Sequence, residues 1–394
     1  MIPYGKQDIN QADIAAVVAV LQSDFLTQGP QVPLFEQALA KTVQAQYGVA
    51  VNSATSALHI ACLALGLGKG DCLWTSPNTF VASANCARYC QAKVDFVDID
   101  PRTYNMCPDA LHVKLIDAQR HNTLPKIVMP VHFAGQPCDM QRIHALAQEY
   151  GFKIIEDASH AIGATYHNLP VGACQYSDIT VFSFHPVKII TSAEGGMAMC
   201  NDVQLAEQMR LLRSHGVTHV PAQLDSPHTG EWYYEQVTLG LNYRMIELQA
   251  ALGLSQLQRL PVFLAQRQHL RQRYDCLLKD LPLQLPVADS MTTSANHLYP
   301  IQLNALEQDS SLSRQPSRKA IFDRLRAQGI GVHVHYIPVH TQPYYQTLGF
   351  AYGDYPQSEH YYQHALSLPL YHGMTEQQQD QVIEELADVL MVCA

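Results

Sequence analysis

Charge is scarce in this 394-residue chain, with Asp, Glu, Lys and Arg making up only 15% of it. What charge there is leans acidic: 25 Lys and Arg face 35 Asp and Glu, a net −10 with neutral histidines. That balance excludes the basic stripe with which proteins track a nucleic-acid backbone, so no nucleic-acid partner is expected. Any phosphate ligand must instead be held locally, by backbone amides and a few chosen side chains. No apolar run approaches the ~20 residues that cross a bilayer, and the first residues lack a basic-then-apolar leader pattern. No membrane association is expected. The ten cysteines include no C-x-x-C pair, and several fall inside helical or strand patterns. This argues against a disulfide framework and for buried free thiols in a reducing compartment, so the chain reads as cytoplasmic.

Apolar residues, at 47%, are ample for a large core, and the length suggests two domains. From about residue 13 to 255, helical periodicity alternates with short apolar strands. "DIAAVVAVLQS", "PLFEQALAKTVQAQ", "TSALHIACLAL" and "MQRIHALAQEYG" read as helices; "YGVAVNS", "DCLWTSP", "KVDFVDID", "KIVMPVHF", "KIIEDAS" and "DITVFSF" read as strands. Strand and helix in alternation imply an α/β fold with right-handed crossovers and a mostly parallel, buried sheet. Ligands of such sheets sit at the carboxyl ends of the strands. From "IELQAALGLSQLQRL" to "RQRYDCLLKDL" the pattern turns to long helices, interrupted near Pro261. The remainder, with "NHLYPIQL", "KAIFDRLRAQG" and "IGVHVHYIPVH", reads as a smaller α+β unit, and "EQDSSLSRQPS" as a polar loop. The expected division is 1–255 for the large domain with its N-terminal arm and 256–394 for the small one.

Four segments carry candidate chemistry. "NSATSALHI" turns from strand to helix over small hydroxylated residues, and a helix N-terminus binds anions through its free N–H groups. Plain capping by Ser53 or Thr55 explains the same residues. "GLGKGD" resembles a phosphate loop but follows a helix and precedes a strand, so Gly66 or Gly68 is read as a helix C-cap. Asp157, at the end of "KIIED", is a buried carboxylate in need of a partner; it suits a helix cap or a cationic ring nitrogen. His160 either orients that carboxylate or is a satisfied structural histidine. Lys188, in "SFHPVKIITSAEGG", is one ammonium in an apolar setting, which could snorkel outward. Taken together, a phosphate turn, an acid after a middle strand and a hydroxyl–strand–lysine segment match what pyridoxal phosphate requires. Lys188 then forms the Schiff base, and Asp157 keeps the pyridine nitrogen protonated. His333 and His335, alternating in "HVH", lack a third ligand at metal spacing, so no metal is expected.

"NSATSAL", "EDASHA", "SFHPVKIITSAEGG", "LRSHG" and "NYRMIELQAALG", in this order, resemble the DegT/StrS family of sugar-nucleotide aminotransferases over nearly the whole chain. "IPYGKQ", "LTQGP", "VHFAG", "NHLYPI" and "VHYIPVH" are most similar to its PseC-type branch. The resemblance implies the aspartate aminotransferase fold (fold type I) and a homodimer with shared active sites. It implies pyridoxal phosphate as cofactor, and L-glutamate and a UDP-linked 4-keto-6-deoxy-N-acetylhexosulose as substrates. The implied product is UDP-4-amino-4,6-dideoxy-N-acetyl-β-L-altrosamine, in pseudaminic acid biosynthesis. Residue by residue, it assigns Lys188, Asp157 and His160 to catalysis. Phe80 would stack on the cofactor ring, Ala54, Thr55 and Ser183 would lie around phosphate or substrate, and Asn242 would reach in from the neighbouring subunit. Tyr4, Asp24, Phe25, Leu26, Thr27, His185, His333, Val334, His335 and Tyr336 match substrate-contacting segments. His160 stands where the broader family often has glutamine, and His185 where asparagine also occurs. A 3-dehydratase on the same fold would carry histidine in place of Lys188. A non-catalytic cofactor-binding regulator would not need the full set Asp157, Ser183 and Lys188.

Overall fold

The computed structural model describes residues 1–219, 224, 230–287, 290–303 and 317–391. Its centre is a seven-stranded sheet of β1 (Tyr47–Val51), β2 (Cys72–Thr75), β3 (Lys93–Phe96), β4 (Ile127–Met129), β5 (Lys153–Asp157), β6 (Ile179–Ser183) and β7 (Gly196–Cys200). The strand order is β1-β7-β6-β5-β4-β2-β3. β7 runs antiparallel to both its neighbours and the other pairings are parallel, which is the mostly parallel α/β sheet expected. The pattern of branched and aromatic residues marks six of these strands. It misses β7, "GMAMC", whose residues have little intrinsic strand preference and which is buried along its whole length.

Alternation along each strand sends side chains to opposite faces of the sheet. Val49, Val51, Leu73, Phe96, Ile155, Val181 and Ala198 face the helices Ala54–Ala64, Ala82–Tyr89 and Val203–Arg213. On the opposite face, Ala50, Phe182, Met197 and Met199 pack with the helices Gln31–Val43 and Glu247–Gln258. Trp74, Val128 and Ile154 meet the helices Pro108–Arg120 and Met140–Tyr150. The helix Ala54–Ala64 stops as read, with Gly66 in the left-handed region at φ 73°. The interruption near Pro261 is a junction between two helices, Glu247–Gln258 and Leu260–Leu277.

A separate three-stranded antiparallel sheet is formed by Leu283–Gln284, Tyr299–Leu303 and Ala365–Leu368. The helices Leu260–Leu277, Arg318–Ala327 and Glu376–Met391 cover it around a core of Leu270, Tyr274, Ile301, Ile321, Leu325, Leu366 and Val382. Ile2 reaches into this core from the other end of the chain. "IGVHVHYIPVH" forms only isolated bridges, Ile330 to Ile2 and His333 to Ser367, instead of a continuous strand. Beyond His335 the chain leaves the sheet for the large core, where Asn78 accepts from Tyr336 N at 3.3 Å and Pro77 from Val339 N at 2.9 Å. Most of "EQDSSLSRQPS" lies outside the described residues; its Ser317 caps the helix Arg318–Ala327. Among the described residues no helix is long and apolar enough to cross a membrane.

Candidate active site

The carboxyl ends of β1, β5 and β6 open onto a cavity of about 820 Å³. At β1 the chain turns through Asn52 and Ser53 into the helix Ala54–Ala64. Ser53 Oγ caps Ser56 N at 3.1 Å, and Ser56 Oγ donates to Asn52 Oδ1 at 2.6 Å. The amides of Ala54 and Thr55 find no acceptor among the described residues. Gly196 stands in register between Val51 of β1 and Ser183 of β6. A Cβ there would meet Ala54 N at 2.5 Å and Ala54 Cα at 2.6 Å, so only glycine lets β7 pass this close to the turn. The result is a helix N-terminus with free donors beside the Ser183 hydroxyl, suited to an anion.

Asp157 ends β5 and is buried at 5% exposure. Ser83 Oγ donates to its Oδ2 at 2.6 Å and Ser159 N to its Oδ1 at 3.1 Å. Ser83 also pairs with Thr79 at 2.8 Å, which fixes its hydroxyl. Lys188 lines the same cavity, and among the described residues its ammonium has neither a hydrogen bond nor an ion pair. Lys126 and Lys153, by contrast, are tied to Asp71 and Asp178 at 2.9 Å each. Burial lowers the Lys188 pKa from 10.5 to about 8, against the opposing pull of the Asp157 carboxylate.

Histidines and tyrosines form the opposite part of the lining. His160 Nε2 meets the Tyr336 hydroxyl at 3.1 Å, and burial, followed by nearby Lys188 and His335, holds its pKa well below the ordinary value. Tyr4 packs against His333 and His335 with ring centroids 5.3 and 5.5 Å away. His335 Nδ1 pairs with Ser367 Oγ at 2.9 Å, and burial lowers its pKa to about 3. Among the described residues the cavity thus brings together an unpaired amine, a buried carboxylate and an anion cradle, beside the His160 and His335 imidazoles that burial keeps neutral.

A family model, "DegT/DnrJ/EryC1/StrS aminotransferase family", matches residues 7–387. The chain belongs to that family. It is 39% identical over 391 residues to the spore coat polysaccharide biosynthesis protein SpsC of Bacillus subtilis, covering 99% of this chain and 97% of that one. Among solved structures it is similar to Helicobacter pylori PseC, an aminotransferase involved in pseudaminic acid biosynthesis. The TM-score is 0.88 and the identity 31%, with 99% of each chain covered. It is also similar to the putative sugar aminotransferase Spr1654 of Streptococcus pneumoniae in its PMP form, with TM-score 0.88, 29% identity and both chains covered completely. The protein is therefore a sugar aminotransferase of fold type I, dependent on pyridoxal phosphate.

The residues of this DegT/StrS chain suit that cofactor: free amides and a hydroxyl for a phosphate, a buried carboxylate for a ring nitrogen and an unpaired amine. Of the positions singled out in the sequence, the cavity brings together Lys188, Asp157, His160, Ala54, Thr55, Phe80, Ser183, Tyr4, His185, His333, His335 and Tyr336. His160 does not hold the Asp157 carboxylate; its partner is Tyr336, and Ser83 with Ser159 takes the carboxylate instead. The side chain of Val334 points the other way, onto the small core, because its neighbours on either side face the cavity. Asn242 and the stretch Asp24, Phe25, Leu26 and Thr27 do not line this cavity and are exposed. Sequence reading missed Ser83, Glu194 and His297. Ser83 sits in a plain "VASAN" helix, and nothing near it in the chain points to Asp157.

Proposed function

We propose that this aminotransferase moves the amino group of L-glutamate to the 4-keto carbon of a UDP-linked 6-deoxy-N-acetylhexosulose. The product is UDP-4-amino-4,6-dideoxy-N-acetyl-β-L-altrosamine, for pseudaminic acid biosynthesis. The observation that carries the transfer chemistry is Lys188, a partly buried amine with no hydrogen bond or ion pair among the described residues, in the wall of the cavity that also holds Asp157. Similarity to the H. pylori enzyme along the full chain supports the choice of sugar. The B. subtilis relative, named for spore coat polysaccharide, favours a second reading in which another nucleotide-linked 4-keto-6-deoxy sugar is aminated.

Bound pyridoxal phosphate supplies a carbonyl for the incoming amine and a conjugated ring that takes up the electrons of a broken C–H bond. This chain's residues do the rest. The amides of Ala54 and Thr55 and the Ser183 hydroxyl would hold the phosphate, Phe80 would pack against the ring, and Asp157 would keep the pyridine nitrogen protonated. Lys188 Nζ would move a proton off the donor's α-carbon in the first half of the reaction and deliver a proton to sugar carbon 4 in the second. With a pKa of about 8, roughly a tenth of it is unprotonated at pH 7, against less than about 0.1% for an ordinary lysine.

Tyr4, His185, His333, His335 and Tyr336 contact the sugar nucleotide, with Val334 contributing backbone only. Asn242 and residues Asp24, Phe25, Leu26 and Thr27, exposed in the single chain, reach the site of a second copy in a homodimer. We divide the chain into 1–255 and 256–394 on the ground of the separate small core around Leu270, Ile301 and Leu366; Leu257, Leu260, Phe263, Ala295, Val339 and Tyr345 cross that boundary to pack in the large cores, and Ile2 crosses it the other way. We place the enzyme in the cytoplasm, where sugar nucleotides and glutamate are at hand. The test is mass-spectrometric identification of products from a panel of UDP- and dTDP-linked 4-keto sugars with glutamate. Amination of the UDP-linked N-acetyl sugar in preference to the others is expected, and preference for a dTDP sugar refutes the choice.

A further inference from the structure

One buried side chain of the cavity wall has no part in the reading above. His297 lines the cavity at 4% exposure, and its Nδ1 is buried without a hydrogen-bond partner among the described residues. The backbone around it is held by two partners. His297 N donates to Ala134 O at 2.9 Å, and Arg267 donates to the carbonyls of Asn296 and His297 at 3.2 Å each. Gly135 leaves the space: a Cβ there would meet His160 O at 2.9 Å, Asn296 N at 3.0 Å and His297 N at 3.1 Å. Two backbone segments distant in sequence, at His160 and at Asn296–His297, thus converge on one glycine, and the two imidazoles come together with centroids 4.4 Å apart.

His160 needs that contact. A histidine is commonly fixed by hydrogen bonds at both ring nitrogens, but among the described residues His160 has one, between Nε2 and the Tyr336 hydroxyl, and its Nδ1 is buried and unpartnered. A single hydrogen bond leaves the ring free to tilt about it, so packing must set the orientation. Phe133 lies farther off, at 6.3 Å between centroids. Burial holds both rings in their neutral form, so no charge repulsion opposes the contact.

We infer that His297 is a positioning residue: with its backbone clamped by Arg267 and Ala134 over Gly135, its imidazole orients His160 and through it the Tyr336 hydroxyl in the wall of the cofactor site. The inference rests on reading this cavity as that site. Its test compares His297→Ala, His297→Phe and His297→Gln. Phe restores a ring without nitrogen, and Gln restores polar atoms without a ring. Crystal structures of the cofactor-free variants should keep the 3.1 Å His160–Tyr336 contact in His297→Phe and lose it in His297→Ala. With pyridoxal phosphate, the visible absorbance band should move in His297→Ala and His297→Gln and return in His297→Phe. The glutamate half-reaction should slow ~10-fold in the first two, with the KM for glutamate little changed.

Rescue by Gln and not by Phe would show that a His297 nitrogen touches the ligand, and would overturn the positioning role. An unchanged His160–Tyr336 contact in His297→Ala overturns it as well. Should the alanine variant fail to fold, the Phe and Gln pair decides alone. Failure of the wild type to bind pyridoxal phosphate would refute the cofactor reading, while the cofactor-free crystal structures would still judge His297.

Discussion

Replacing Lys188 by Met removes an amine that the fold holds against its solvation. Burial brings the Lys188 pKa down from 10.5 to about 8 although Asp157 pulls the other way. Between about pH 8 and 10.5 the unfolded chain still binds a proton that the folded chain has released. Stability therefore rises with pH through that window, and below pH 8 the charged amine opposes folding in full. At about 1.4 kcal/mol per pH unit, the gap amounts to roughly 3 kcal/mol. Lys188 is only partly buried by surface exposure, so solvent screening reduces this to about 2 kcal/mol. Met keeps the unbranched shape without the charge. The assay is the melting temperature of cofactor-free wild type and Lys188→Met across pH. The variant should melt a few degrees higher at pH 7, and the difference should shrink above pH 8 and nearly vanish by pH 10.5. A variant that melts no higher at pH 7, or a difference that ignores pH, would refute the view of Lys188 as a desolvated amine.

Borohydride reduction of the pyridoxal phosphate enzyme should fix the label on Lys188, as peptide mapping can check; a label on Lys126 or Lys153, each held by an aspartate, refutes the assignment. Asp157→Asn keeps the shape without the charge, so the glutamate half-reaction should slow by ~10² or more while cofactor is retained, with Ser83→Ala a milder version. Unaltered single-turnover rates in Asp157→Asn would leave it a structural cap. Gly196→Ala forces a methyl into Ala54 backbone at 2.5 Å, so titration should show cofactor affinity at least ~10-fold weaker; wild-type affinity would mean the turn is not the phosphate site. Mixing Lys188→Ala with Asn242→Ala subunits should restore activity to about a quarter of wild type when chains exchange randomly and sites act independently. No recovery after demonstrated exchange would place both residues in one chain's site.

The chain itself determined the alternation of helix and strand, the strand-to-helix turn at Ser53, and the two residues whose chemistry stands out, Asp157 and Lys188. These are local facts, carried by periodicity, capping residues and ionisable groups in apolar surroundings. Tertiary structure alone decided who partners whom. Ser83 reaches Asp157 because its helix packs over the end of β5, 74 positions away in sequence. His160 turns to Tyr336, 176 positions away, and not to its near neighbour Asp157. β7 is a strand because its neighbours supply hydrogen-bond partners on both edges, which outweighs the weak preference of Gly, Met, Ala and Cys. Gly196 and Gly135 look like any other glycine in the sequence. Their meaning comes from the backbone brought to within 3 Å of the missing Cβ, and that proximity exists only once distant segments have packed.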